Sequence, residues 1–177
     1  FKQSKALSRS GKPETAAVPL LAWLDKDPDD TGVLLTLGLL YLSLGQNEEV
    51  VETYERLLAL QPDNVTVLNN LAWLYSLAGS PKSLDLAERA YRINPESPGI
   101  QDTYGWILVQ QGQVDQGRRL LEQAMKELSE VPEVRYHYAV ALLKSGEKTE
   151  AHKLLNELLQ EETSFEGRED ALVLLDK

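Results

Sequence analysis

Apolar and small side chains recur along this chain at helical spacing, in pairs of short runs separated by turn residues. In residues 31–64 the first run places Leu34, Leu37, Gly38 and Tyr41 on one face. The second does the same with Val50, Tyr54, Leu57, Leu58 and Leu60. This spacing predicts two amphipathic helices. Gly45 and Asn47 stand between the runs, and Pro62-Asp63-Asn64 follows the second, so the unit reads helix, turn, helix, turn. Gly38 has a mechanical reason: a residue without a side chain lets the second helix approach the first closely.

The same grammar repeats. Gly45, Gly79, Gly112 and Gly146 follow one another at intervals of 34, 33 and 34 residues. Eight residues before the last three stand Leu71-Ala72, Tyr104-Gly105 and Tyr138-Ala139, matching Leu37-Gly38 in the first unit. A fixed period of this length predicts a stacked array whose function lies on an extended surface. The units are 31–64, 65–97, 98–131 and 132–165. The second is one residue short near Gly79-Ser80-Pro81, where Ser80 is expected to cap a helix that Pro81 opens.

The ends depart from the pattern. Residues 1–30 read as a truncated repeat whose second helix covers 13–26, with Ala16, Leu20 and Trp23 in packing places and Pro28 closing it. Pro19 should kink that helix or delay its start. Gly11 is one more marker glycine, so the sequence is expected to be a piece of a longer protein. Residues 166–177 read as a capping helix with Ala171, Leu172, Leu174 and Leu175 inward.

Composition narrows the partners. The net charge of −10 argues against nucleic acid or an anionic membrane. No run of eighteen apolar residues occurs, so no transmembrane segment is expected in this fragment. Without cysteine there is no disulfide, thiolate ligand or thiol nucleophile.

Candidate chemistry is sparse. Gly112 to Gly117 has the spacing of a phosphate loop, but Arg118-Arg119 replace its Lys-Ser/Thr and no strand precedes it. His137 and His152 lie on different helices without a partner at metal spacing. His152 reads as a surface residue, and His137 as a groove neighbour able to hydrogen-bond a ligand. Asn64-Val-Thr66 matches a glycosylation sequon, yet Asn64 stands where a helix cap would. No catalytic, metal or cofactor site is expected, and no enzymatic activity.

The repeat resembles the tetratricopeptide family, whose pattern is W-x2-L-G-x2-Y, A-x3-F and P over 34 residues. Leu34, Leu37, Gly38, Tyr41, Val50, Tyr54, Leu57 and Pro62 take those places in order. Leu68, Leu71, Ala72, Tyr75, Ala87, Ala90 and Pro95 follow in the next unit, while Ser129 and Thr163 replace the closing proline in the last two. The resemblance implies an all-α, right-handed superhelical solenoid whose first helices line a concave groove. It places Leu35 and Leu39, Asn69 and Trp73, Asp102 and Trp106, and Tyr136 and Val140 in that groove, with Asn70 beside them. Trp73 and Trp106 are one period apart and should be neighbours. Either they form an amphipathic strip for a partner or they pack repeats together. A clamp for a chain-terminal carboxylate would need basic groove residues, but Leu35, Leu39, Gly99 and Thr103 stand there and Asn70 alone matches.

Longer phrases give a finer likeness. Asn69 to Tyr75, Asp102 to Leu108, Val134 to Leu143 and Phe165 to Ala171 are similar to the last repeats of bacterial envelope lipoproteins of the exosortase/PEP-CTERM system, the PrsT type. That likeness implies a non-catalytic scaffold for a protein or peptide segment, in exopolysaccharide assembly or protein sorting. The implied location is the cell envelope, periplasmic, with the cytoplasm as the alternative. Indoles flanked by Asp102 and Asn69 also suit sugar rings, so a polysaccharide-binding module is the alternative function.

Overall fold

The computed structural model describes residues 15–161 and 164–175, and these form ten α-helices and no strand. The first, α1 (Val18–Leu24), precedes four helix pairs: α2 (Thr31–Ser43) with α3 (Asn47–Leu60), and α4 (Val65–Leu77) with α5 (Lys82–Ile93). The pairs α6 (Pro98–Gln110) with α7 (Val114–Glu127), and α8 (Pro132–Ser145) with α9 (Lys148–Glu161), follow. The last helix is α10 (Arg168–Leu175). Each helix packs on the next in the chain, and α6 also touches α4 and α8 directly. First helices thus crowd together on the inside of the curve, which is how a helix-pair array becomes a superhelix.

Local sequence explains the breaks. Gly45, Gly79, Gly112 and Gly146 all have left-handed backbones, with φ of +69°, +66°, +82° and +92°. Residues with a Cβ enter that region at a cost, so glycine marks the period. Asn64 caps α4, its Oδ1 accepting from Val67 N at 3.2 Å, and Asp30 caps α2 through Val33 N at 3.0 Å. Ser80 Oγ accepts from Lys82 N at 3.4 Å, though α5 begins at Lys82 instead of Pro81.

Leu34, Leu37, Tyr54, Leu57, Leu68, Leu71, Leu121, Leu142, Leu155 and Leu158 are buried between the layers. A Cβ on Gly38 would run into the Tyr54 ring, as expected for the small position. Neighbouring units are also tied on their outer side. Arg56 donates to the Pro28 carbonyl, and Arg89, at the same place one unit on, donates to the Pro62 carbonyl at 2.8 Å. In the third unit Gln123 replaces that arginine, and Gln101 Nε2 takes the Pro95 carbonyl at 2.8 Å.

Both ends hold corrections. α1 starts at Val18, after a delay consistent with Pro19 in its first turn. Trp23, expected in the core, is 53% exposed, while Leu24 turns inward at 7%. With Ala16 and Leu20 fixing the buried seam, Leu24 falls one turn above Leu20 and Trp23 is left beside it. The indole Nε1 donates to Asp30 Oδ2 at 2.9 Å, so Trp23 braces the cap of α2. In α10 Ala171 is fully buried and Leu174 and Leu175 are partly so, but Leu172 faces solvent. Residues 1–14, where a truncated repeat is expected, and residues 162–163 and 176–177 lie outside the described residues.

Candidate partner-binding groove

Groove positions come one helical turn apart on each first helix, so both members of a pair share a face. On α4 they are Asn69 and Trp73, on α6 Asp102 and Trp106, and on α8 Tyr136 and Val140. The His137 ring draws the first two pairs together. It stacks on Trp106 with centroids 4.3 Å apart and planes 18° apart, and lies 5.6 Å from Trp73. His137 Nδ1–H donates to Asp102 Oδ1 at 2.9 Å. The two indoles therefore meet through an imidazole that an aspartate on α6 holds in place. Trp106 continues to Tyr136 at 5.9 Å, and Tyr136 to Phe165 at 6.1 Å. Trp73, Trp106 and Phe165 are half-buried members of one aromatic strip running along α4, α6 and α8.

The strip has a polar margin. Ser76 Oγ donates to Gln110 Oε1 at 2.7 Å, bridging α4 to α6. Asn69 Oδ1 is buried without a hydrogen-bond partner. Asn70 Nδ2 donates to the Tyr54 hydroxyl at 3.4 Å, which engages it with α3. Towards the N-terminal end, Leu35 is half-buried and Leu39 is exposed on α2.

Two expected groove residues are covered. Tyr136 and Val140 are each only 7% exposed. Gly167, at φ +90°, passes so close that a Cβ there would strike the Tyr136 ring, and Phe165 lies on the same ring. Burial pushes the Tyr136 hydroxyl up to about 12, with the Asp170 carboxylate adding to the rise. The chain thus closes its own groove at the fourth unit. His137 is a further correction: it is 4% exposed and its Nδ1 is engaged by Asp102, so it is a wedge between indoles instead of a free donor. The sequence marks Phe165 and Gly167 only as part of a phrase, not as groove residues, because they lie on the connection to α10, outside the helix positions that the period defines. The cue for them was Gly167 itself, a glycine directly before a helix.

The site's charge is small. Asp102 is the carboxylate among the groove pairs, and its side chain is 13% exposed beside His137. Among the described residues no group of three or more His, Cys, Asp or Glu is placed to hold a metal ion.

A tetratricopeptide repeat family model matches residues 108–166, and a second, for the TPR repeat, matches residues 38–79; together they span more than half of the chain. The chain belongs to the tetratricopeptide repeat family. A TPR repeat-containing protein of Pseudomonas aeruginosa is 29% identical over 128 residues, covering 70% of this chain and 21% of that protein. The tetratricopeptide repeat-containing protein trd-1 of Caenorhabditis elegans is 30% identical over 94 residues, covering 52% and 12%. The chain therefore spans about a fifth or less of the length of these curated relatives. Among solved structures, MamA of Desulfovibrio magneticus superposes with a TM-score of 0.75 at 17% identity, covering 89% of both chains. PilW, a type IV pilus biogenesis factor, gives 0.75 at 18%, covering 98% of this chain and 80% of its own. YrrB, described as a TPR protein with an unusual peptide-binding site, gives 0.70 at 17%, covering 89% and 81%. At these identities the likeness is one of fold. Ten helices without a strand, stacked as pairs among the described residues, are the tetratricopeptide solenoid.

Proposed function

We propose that this tetratricopeptide array is a non-catalytic scaffold that holds an extended segment of a partner protein in its inner groove. The observation that carries this reading is the aromatic strip: two half-buried indoles, Trp73 and Trp106, on adjacent inner helices, with neutral Asn69 and Ser76 one turn or less from Trp73 on α4. Contiguous apolar surface with a polar margin is the usual mark of a docking site, and indoles are favoured anchors in such sites. The fold shared with YrrB, described by its peptide-binding site, is in keeping with this use. The setting we propose is the bacterial cell envelope, in exopolysaccharide assembly or protein sorting, on the strength of the phrase resemblance and the fold shared with a pilus biogenesis factor.

Sugar binding is the less favoured reading on geometric grounds. A sugar ring stacks on the flat face of an aromatic, and His137 covers one Trp106 face at 4.3 Å. The carboxylate that would receive sugar hydroxyls, Asp102, is engaged by the same histidine. Tryptophan fluorescence of a Trp23→Phe variant, which leaves only the two groove indoles, tests the choice. Titration with a mixed pool of uncharged and basic extended peptides should shift the emission, and titration with polysaccharide fragments should not. A response to polysaccharide alone would replace this function with the sugar-binding one.

A further inference from the structure

The chain fills one end of its own groove. Ser164 and Phe165 are not helical, and Phe165 rests on Tyr136 with centroids 6.1 Å apart and planes at 50°. An irregular stretch of polypeptide with an aromatic side chain thus already occupies the last seat of the strip. The next two rings inward, Trp106 and Trp73, are half-buried in the same line. The ring pairs Trp106–Tyr136, Tyr136–Phe165 and Trp73–His137 are all tilted by 47–53°. Aromatic pairs gain from tilted and offset geometries beyond the area they bury, so an incoming ring suits this row better than a branched alkyl group does.

Charge also selects among partners. The ionisable pair in the strip, Asp102 and His137, is 13% and 5% exposed and mutually engaged. The helix members of the strip present ring and neutral amide or hydroxyl, while Phe165 shares a hollow with Arg168, Glu169 and Asp170. Around it lies a chain of net charge −10, whose field repels an acidic segment.

We infer that the partner segment recognised here is an extended stretch carrying an aromatic side chain, seated next to Phe165 against Trp106 and Trp73, with no acidic residue flanking that anchor. The inference rests on the docking function proposed above and specifies its ligand. Phe165 is the chain's own example of the contact, and the partner's ring extends the same row.

A displayed library of random 12-residue peptides, selected on the intact chain, tests this. The selected family should share Phe, Tyr or Trp in one register and be depleted of Asp and Glu around it. In the best peptide, Leu in place of the aromatic should weaken binding at least about fivefold, and Ala at least about thirtyfold. Binding should move the indole N–H signals of Trp73 and Trp106 in NMR spectra and leave that of Trp23 in place. Trp73→Leu, which keeps apolar volume and so guards against misfolding, should also weaken it. A selected family anchored by aliphatic or charged residues, still moving the two groove indoles, overturns the inference and leaves the docking function standing. Peptides that move neither indole, or no enrichment at all, overturn both.

Discussion

Gly105 and Gly117 face each other across the α6–α7 contact, each in the space that the other's side chain would need. A Cβ on Gly105 would sit 2.9 Å from the Gly117 carbonyl oxygen, and a Cβ on Gly117 would sit 2.5 Å from the Gly105 carbonyl oxygen. The obstacle on both sides is backbone, which cannot swing away as a side-chain tip can. Gly105→Leu should therefore destabilise the array, at the upper end of the roughly 1–3 kcal/mol typical of overpacking. Denaturant unfolding reads it, and an unchanged midpoint would contradict the helix register.

The arginine tie between units predicts an asymmetry. Arg89→Ala removes a side-chain donor to the Pro62 carbonyl and should cost about 0.5–1.5 kcal/mol. Gln123→Ala, at the equivalent place one unit on, should cost nothing measurable, because Gln101 already serves the Pro95 carbonyl. Equal losses in the two variants would show that the tie does not depend on the arginine.

Much of this was legible in the chain. The marker glycines announced the period because the backbone they occupy, at φ between +66° and +92°, is one that few other residues enter cheaply. The small position at Gly38 was legible for a similar reason, since its neighbour Tyr54 leaves no room. Trp23 was misplaced because three- and four-residue spacings both lead back towards Leu20, and only the turn into α2 decides which residue faces in. The burial of Tyr136 was invisible for another reason. Period analysis assigns each groove residue by its own helix, whereas the cover comes from Phe165 and Gly167 in the connection to α10.

The helix that follows this cover, α10, is expected to cap the array. Removing residues 166–177 withdraws Ala171, which is fully buried, and uncovers the apolar end of the fourth unit. Solenoid ends need such caps to stay soluble. The truncated protein should self-associate, seen as a rise in mass by light scattering. A monomer of unchanged stability would show that α10 does not cap.

Alkaline pH should weaken the fold through Tyr136. Its hydroxyl is raised to about 12, chiefly by burial, above the ordinary value near 10. Folding holds the neutral phenol, so its contribution is complete below about pH 10 and is lost as pH rises through about 12. Unfolding free energy should fall across that window. Tyr136→Phe, which cannot ionise, should flatten part of the fall, while Tyr41, Tyr54, Tyr75, Tyr104 and Tyr138, also raised first by burial, retain the rest. An equally steep fall in the variant would contradict the burial of this hydroxyl.

Trp73 and Trp106 either serve a partner or serve only the fold. The direct measurement is unfolding free energy and affinity for a selected peptide on the same Trp73→Ala and Trp106→Ala variants. Half-buried anchors should lose about 2 kcal/mol or more of binding, near thirtyfold in affinity, and less than that in stability. A stability loss of about 3–5 kcal/mol, as for a fully buried tryptophan, with affinity unchanged in the folded fraction, would make both indoles mortar between repeats and contradict the groove as the docking site.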